Sequence, residues 1–322
     1  MTDKKILLDR DIDTSAISGR QLGLIGYGSQ GRAQALNLRD SGFNPLIGVR
    51  EGRSKDAAGS DGFHPLSIER VSTECGILMV LTPDETHADI CDNLILPNVS
   101  PRAAIGFGAG FSVHFGLVNI PASHPVFLAA PKGPGAVLRQ RFIEGTGIPA
   151  IVASRDNGPE GMAMALAYAG AIGCGRSGVI RASFREEAVA DLFGEQCVLA
   201  GGMIELMKSA FDVLVDRGFP PEIAYIECIA EVEYMASLIS RVGIAHLKDH
   251  ISSTAFFGGA TRGRRVIDES TKEKLLAVLD EIESGKFFSE FRESLASGEG
   301  LPSGVWSSEV LERARARMEK GD

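Results

Sequence analysis

Residues 21–31 read QLGLIGYGSQG, an apolar run closing on Gly26, Gly28 and Gly31 at G-x-G-x-x-G spacing. The run predicts a buried strand over Gln21–Ile25, a tight turn, and a helix through about Arg39. Each glycine has its own task. Gly26 permits the turn, Gly28 lets the backbone approach a pyrophosphate, and Gly31 lets helix and strand pack closely. The phosphates then lie at the positive end of the helix. This is a dinucleotide-binding turn, and it makes the first half of the chain an α/β fold.

Working outward, Pro45–Val49, Ile77–Val80, Ala103–Phe107 and Val126–Ala130 are further apolar strand candidates separated by helical or turn stretches. That alternation predicts a doubly wound parallel sheet. Near Ser183 the texture changes, and amphipathic helices run from Phe184 to about Leu295. The expected division is a nucleotide domain over 1–182 and a helical domain over 183–322. The tail, RARARMEKGD, reads as a charged, frayed helix end.

After the second strand the loop reads VREGRSKD, clustering Arg50, Arg53, Ser54 and Lys55. Two guanidiniums and a hydroxyl suit a 2′-phosphate, which favours NADPH, whereas Glu51 is the kind of acid that would favour a free ribose hydroxyl.

The 322 residues are 44% hydrophobic, enough for real cores in roughly two domains, and a net charge of −9 argues against a nucleic-acid partner. No apolar run approaches the ~18 residues of a membrane span. The opening MTDKKILLDRDIDTS lacks the apolar core of an export signal. Cys75, Cys91, Cys174, Cys197 and Cys228 show no CxxC spacing and lie in apolar segments, so buried thiols in the cytoplasm are expected.

In the helical half, Asp191 and Glu195 lie in DLFGEQ, and Glu227 and Glu231 in AYIECIAEVEY. Each i, i+4 pair projects from one helix face about a turn apart. The neighbours are apolar, so the acids either edge a solvated helix or meet a divalent cation such as Mg²⁺.

GYGSQG, LTPDE (81–85), GFSVHFG (110–116), APKGPG (130–135), DLFGEQ (191–196), PEIAYIEC (221–228) and ISSTA (251–255) together resemble the motif series of ketol-acid reductoisomerases. The order and spacing are similar to the short, class I form from about residue 5 to residue 310. The resemblance implies a Rossmann domain followed by an all-helical, knotted C-terminal domain, NADPH, two Mg²⁺, and a homodimer or multiple of dimers with shared sites. It implies that a 2-hydroxy-3-keto acid such as acetolactate undergoes an alkyl shift and then hydride reduction, as in branched-chain amino-acid synthesis. Carried over by position, Asp191, Glu195, Glu227 and Glu231 are the implied metal ligands, the last two reaching the site from the partner. Lys132 lies near the metals and substrate oxygens, Ser252 holds substrate across the interface, and Glu231 or a metal-bound hydroxide handles the hydroxyl proton. Tyr27, Ser29, Gln30, Leu81, Thr82, Pro83, Asp84 and Gly135 join the turn glycines as implied cofactor contacts.

Three departures stand beside these matches. Ala109, Ala136 and Ala230 occupy positions where the family has histidine, and alanine supplies neither a hydrogen bond nor a titratable proton. Phe256 and Phe257 make AFFGGATRG more apolar than the usual sequence. His114 reads as structural, His250 as a pocket or interface residue, and the remaining histidines form no metal-ligand spacing. Two enzyme readings therefore stay open: the family reaction, and a specialised-pathway reductase on the same scaffold acting on another keto acid, carbonyl or imine. A nucleotide-binding regulator is a third.

Overall fold

The computed structural model describes residues 5–155, 158–297 and 302–320. By internal contacts the chain divides into Met1–Val189 and Ala190–Asp322. The division falls inside the helix Phe184–Gly194, whose first turns bury Phe184, Glu187, Ala188 and Val189.

In the first unit the strands are β1 (Ile6–Leu7), β2 (Leu22–Ile25), β3 (Leu46–Gly48), β4 (Pro65–Leu66), β5 (Ile77–Val80), β6 (Ala104–Phe107), β7 (Val126–Pro131), β8 (Ala150–Ser154) and β9 (Val179–Arg181). They form one sheet in the order β1-β9-β8-β7-β6-β5-β2-β3-β4. From β4 to β7 all neighbours are parallel, as the sequence predicts. The sheet then departs from a purely parallel one: β7 pairs antiparallel with β8, and β1 antiparallel with β9. From β2 the chain goes out to β3 and β4, then crosses back to β5 on the other side of β2. That is the topological switch point at which such sheets bind ligands.

The central strands β2, β5, β6 and β7 are buried on both faces, and their side chains alternate between two cores. Leu22, Leu24, Ile77, Met79, Phe127 and Ala129 enter one cluster with the helices Ser29–Asp40 and Pro159–Ala171. Ile25, Leu78, Val80, Ile105, Phe107 and Leu128 enter the other with Ile68, Val71, Ile90 and Phe184. This period of two with helices on both sides is the cause of the near-continuous apolar runs in the sequence. Cys75, Cys91 and Cys174 lie in these cores, where burial pushes their thiols up to about 12.

The second unit is helical over its described residues. Few of its side chains are buried in the single chain: Phe211, Ala224, Ile282 and Ala314 are, while Leu199, Val213, Tyr234, Ile244 and Phe257 are exposed. The tail corrects its sequence reading. Glu309–Lys320 forms a helix that packs on Pro221–Tyr225, with Ala314 buried and Arg317 paired to Glu222. Among the described residues no helix is long and apolar enough to cross a membrane.

Candidate active site

The glycine turn is built as its spacing predicts. Gly26 has φ +103°, a conformation that favours glycine, and a Cβ there would meet Leu81 O at 2.9 Å. A Cβ on Gly31 would strike Gly26 O at 2.3 Å, so this glycine sets the helix–strand distance. Nothing lies within 4 Å of a Cβ on Gly28, leaving the backbone open where a pyrophosphate would approach the N-terminus of Ser29–Asp40. An open cavity of about 310 Å³ adjoins the turn. Gly26, Tyr27, Arg50, Arg53, Ser54, Thr82 and Pro83 all line it, joining three segments distant in sequence.

The basic loop is organised by ion pairs. Arg50 Nη2 lies 2.9 Å from Asp89 Oδ2, and Lys55 Nζ lies 2.5 Å from Glu51 Oε1. Glu51 is thereby paired with the lysine four residues on, while Arg53 and Ser54 open the helix Arg53–Ser60 at the cavity wall. Tyr27 turns its hydroxyl inward to donate to Asp61 Oδ2 at 2.9 Å, and Arg32 grips the same carboxylate at 2.6 and 2.9 Å. The Arg32 hydrogen bond holds the Asp61 carboxyl below its usual range, and burial with the Asp61 contact raises the Tyr27 phenol.

The APKGPG loop sits directly against the turn. A Cβ on Gly135 would lie 2.2 Å from Ser29 O, and Gln30 Nε2 donates to Gly133 O at 2.8 Å. Behind Gln30 stands a buried relay: Tyr168 Oη donates to Gln34 Oε1 at 2.8 Å, and Gln34 Nε2 donates to Gln30 Oε1 at 3.1 Å. Buried polar groups linked in this way specify one arrangement. Gly135→Ala is therefore expected to destabilise the protein by about 1–3 kcal/mol, the usual cost of forcing an extra methyl into packed structure. It should also weaken dinucleotide binding. Gly59→Ala, in open space on the helix Arg53–Ser60, is the control that should be neutral or stabilising in the same denaturation and titration experiments.

Lys132 emerges at the end of β7, its amide donating to Pro149 O at 2.8 Å. Its ammonium pairs with Glu187, whose side chain is 1% exposed. The other carboxylate oxygen of Glu187 accepts from Gly110 N at 2.6 Å, and a Cβ on Gly110 would clash with that oxygen. Thus GFSVHFG, APKGPG and the helix from Phe184 meet at one carboxylate. The sequence reading missed Glu187, although a signal existed: Glu187, Asp191 and Glu195 follow one another in steps of four. Ala109 lies next to Gly110 and is half-buried; Ala136 is exposed in the first turn of Gly135–Ile143. Burial, then the nearby Arg185 charge, holds the His114 imidazole below its ordinary value.

In the second unit both acid pairs coincide with a wide helical turn. Glu195 begins a π turn over Glu195–Leu199, where Ala200 N donates to Glu195 O at 2.8 Å. Glu227 lies in a second, Ile226–Ala230, and Glu231 follows it at once. Such turns recur at functional sites. Asp191 is half-buried, whereas Glu195, Glu227 and Glu231 are exposed, so the desolvation expected from their apolar neighbours does not arise in the single chain. Among the described residues no three His, Cys, Asp or Glu side chains converge on a metal-sized site. Ser252 is the N-cap of the helix Ser253–Val266, its Oγ accepting from Ala255 N at 3.1 Å. Phe256 and Phe257 are exposed on the same helix, and Ala230 ends the second π turn.

A doubly wound sheet with a phosphate-ready turn beside a cation–carboxylate pair at its carboxyl edge defines a dinucleotide-dependent oxidoreductase. Comparison with known proteins narrows the class. Residues 16–178 match the family described as acetohydroxy acid isomeroreductase, NADPH-binding domain, and residues 184–317 match the ketol-acid reductoisomerase C-terminal domain. The chain belongs to the ketol-acid reductoisomerase family. It is 46% identical over 281 residues to a ketol-acid reductoisomerase (NADP(+)) of Mycobacterium ulcerans, covering 87% of this chain and 84% of that protein. A solved NADH-preferring ketol-acid reductoisomerase from an uncultured archean superposes with TM-score 0.94 at 35% identity, covering 98% of both chains. A pyrroline carboxylate reductase of Plasmodium falciparum shares the fold alone, with TM-score 0.52 at 14% identity over 82% of this chain and 97% of that one.

Proposed function

We propose that the protein converts a 2-hydroxy-3-keto acid such as acetolactate by alkyl migration and hydride reduction, using NADPH and Mg²⁺, in a branched-chain amino-acid type of pathway. The observation that carries this reading is the seating of the Lys132 loop on the dinucleotide turn, with Lys132 held by Glu187, in a chain of this family. When bound, NADPH supplies the hydride, and Mg²⁺ supplies Lewis acidity toward adjacent substrate oxygens.

The residues present fit both groups. The open backbone at Gly28 suits a pyrophosphate, and Arg50, Arg53 and Ser54 supply a basic, hydroxyl-bearing wall for a 2′-phosphate. With Glu51 satisfied by Lys55, this loop supports NADPH over NADH, unlike the preference stated for the archaeal relative. Hard carboxylate oxygens are the right donors for Mg²⁺, and Asp191 with Glu195 from one protomer and Glu227 with Glu231 from its partner would supply four. The exposed apolar side chains of the helical unit support such a homodimer, because patches of that kind mark interaction surfaces. Free thiols throughout suit the cytoplasm.

Within the site, Lys132 offers a fixed positive charge to substrate oxygens, and Glu187 keeps it in place. Glu231 takes up and returns the substrate hydroxyl proton. Ser252 Oγ accepts its capping bond from Ala255 N and so keeps its own proton to donate to substrate.

An NADPH-oxidation assay with acetolactate and with a simple 2-keto acid, each with and without Mg²⁺, tests the reading. Mg²⁺-dependent turnover of acetolactate is expected. Turnover of the simple keto acid alone would instead identify a specialised reductase on this scaffold. Tight NADPH binding with no turnover of either would leave a nucleotide-binding regulator.

A further inference from the structure

His87 is buried, 2% exposed, at the start of the helix that follows the LTPDE loop. Its two ring nitrogens reach in different directions. Nε2 lies 2.9 Å from Thr82 O, and Nδ1 lies 2.7 Å from Ser112 Oγ. A carbonyl oxygen only accepts, so Nε2 carries a proton; Nδ1 faces the Ser112 hydroxyl, which can donate or accept, with Asp84 Oδ1 3.6 Å from the same nitrogen. Burial holds the ring's pKa below its ordinary value and so favours the neutral form, in which Nδ1 accepts from Ser112. Packing against Phe107, with ring centroids 5.6 Å apart, fixes its plane.

The two partners belong to the two halves of the site. Thr82 and the following Pro83 line the cofactor cavity. Ser112, itself fully buried, lies in the short helix Phe111–His114, capped by Gly110, whose amide donates to Glu187. Glu187 in turn holds Lys132. One imidazole thus stands at the junction between the loop that walls the nucleotide and the segment that supports the lysine.

We propose that His87 is a positioning residue that ties the cofactor loop, through Ser112 and Gly110, to the Lys132–Glu187 pair. The proposal rests on Lys132 and Glu187 being the reactive end of the site. Thr82 O and Ser112 Oγ both approach the ring at full hydrogen-bond distance, one from each segment.

Three variants of the intact protein test it, read by NADPH affinity from fluorescence titration and by turnover of acetolactate with Mg²⁺. His87→Leu removes both bonds and should weaken NADPH binding and turnover by about tenfold or more each, the effect of leaving buried polar groups unpartnered. His87→Gln offers a donor and an acceptor in the same place and should stay within about threefold of wild type in both. Ser112→Ala keeps the Thr82 bond and loses the other, so turnover should fall about tenfold with NADPH affinity within about twofold. The proposal is overturned if His87→Gln is as impaired as His87→Leu, or if Ser112→Ala changes affinity and turnover together or leaves both unchanged. Should His87→Leu fail to fold, the other two variants decide. NADPH affinity is read without substrate, so weakened binding in His87→Leu restored in His87→Gln supports the tie to the cofactor loop even where wild type turns over no acetolactate, a result that would sink the proposed reaction instead.

Discussion

Glutamine at position 187 is expected to lower acetolactate turnover by about a hundredfold to a thousandfold, the usual cost of losing one preorganised charge at the reacting oxygens. The carboxylate is 1% exposed and serves the Lys132 ammonium and the Gly110 amide. Glutamine retains one acceptor, which the Gly110 amide can keep, but turns a donor toward the ammonium. Lys132 then loses the counter-charge that Glu187 supplies. The dinucleotide turn is not touched by this change, so NADPH affinity should remain within about twofold of wild type. Steady-state turnover and NADPH titration of Glu187→Gln check both halves. A fall of less than tenfold would mean that Lys132 is positioned by something other than Glu187.

Asp191→Asn is expected to abolish Mg²⁺ binding and, with it, all but about one part in ten thousand of turnover, since metal-supplied charge stabilisation is worth several kcal/mol. Asp191 is the half-buried member of the four acids and lies one turn before the π turn that begins at Glu195. Amide oxygen is a poor substitute for carboxylate toward a hard divalent cation. The nucleotide turn lies in the other unit, so NADPH affinity should stay close to wild type. Metal binding is read by titration calorimetry on the purified protein. Unchanged metal affinity in Asp191→Asn would remove the helix acids from the metal assignment.

The legible parts of the fold were the continuous apolar runs. β2, β5, β6 and β7 are buried along their whole length, and the sequence places each within a residue or so. β1, β4 and β9 escaped because two or three residues carry no alternation to read. β8, AIVAS, escaped because Ala and Ser have little strand preference of their own. Its antiparallel pairing with β7 is a tertiary fact that composition does not encode. Within the site, the glycine turn was readable because backbone geometry demands glycine at fixed offsets. Glu187, Gln34 and His87 were not singled out because each has a partner that lies 25 to 134 residues away in sequence. A polar residue within an apolar pattern says that a partner exists, but not which one.

The π turns constrain how this chain can change. A turn of that kind holds one residue more than the α turn it replaces, so removing a single residue from 226–230 would let the helix run on regularly without breaking it. Everything beyond the cut, Glu231 first, would keep nearly its place around the axis, because the extra residue is taken up within the turn. The same deletion in the regular helix Glu231–Val242 would instead swing everything after it by about 100°, the angle one residue subtends in an α-helix. The wide turn is thus a stretch where the chain can shed a residue without carrying the following carboxylate off its face.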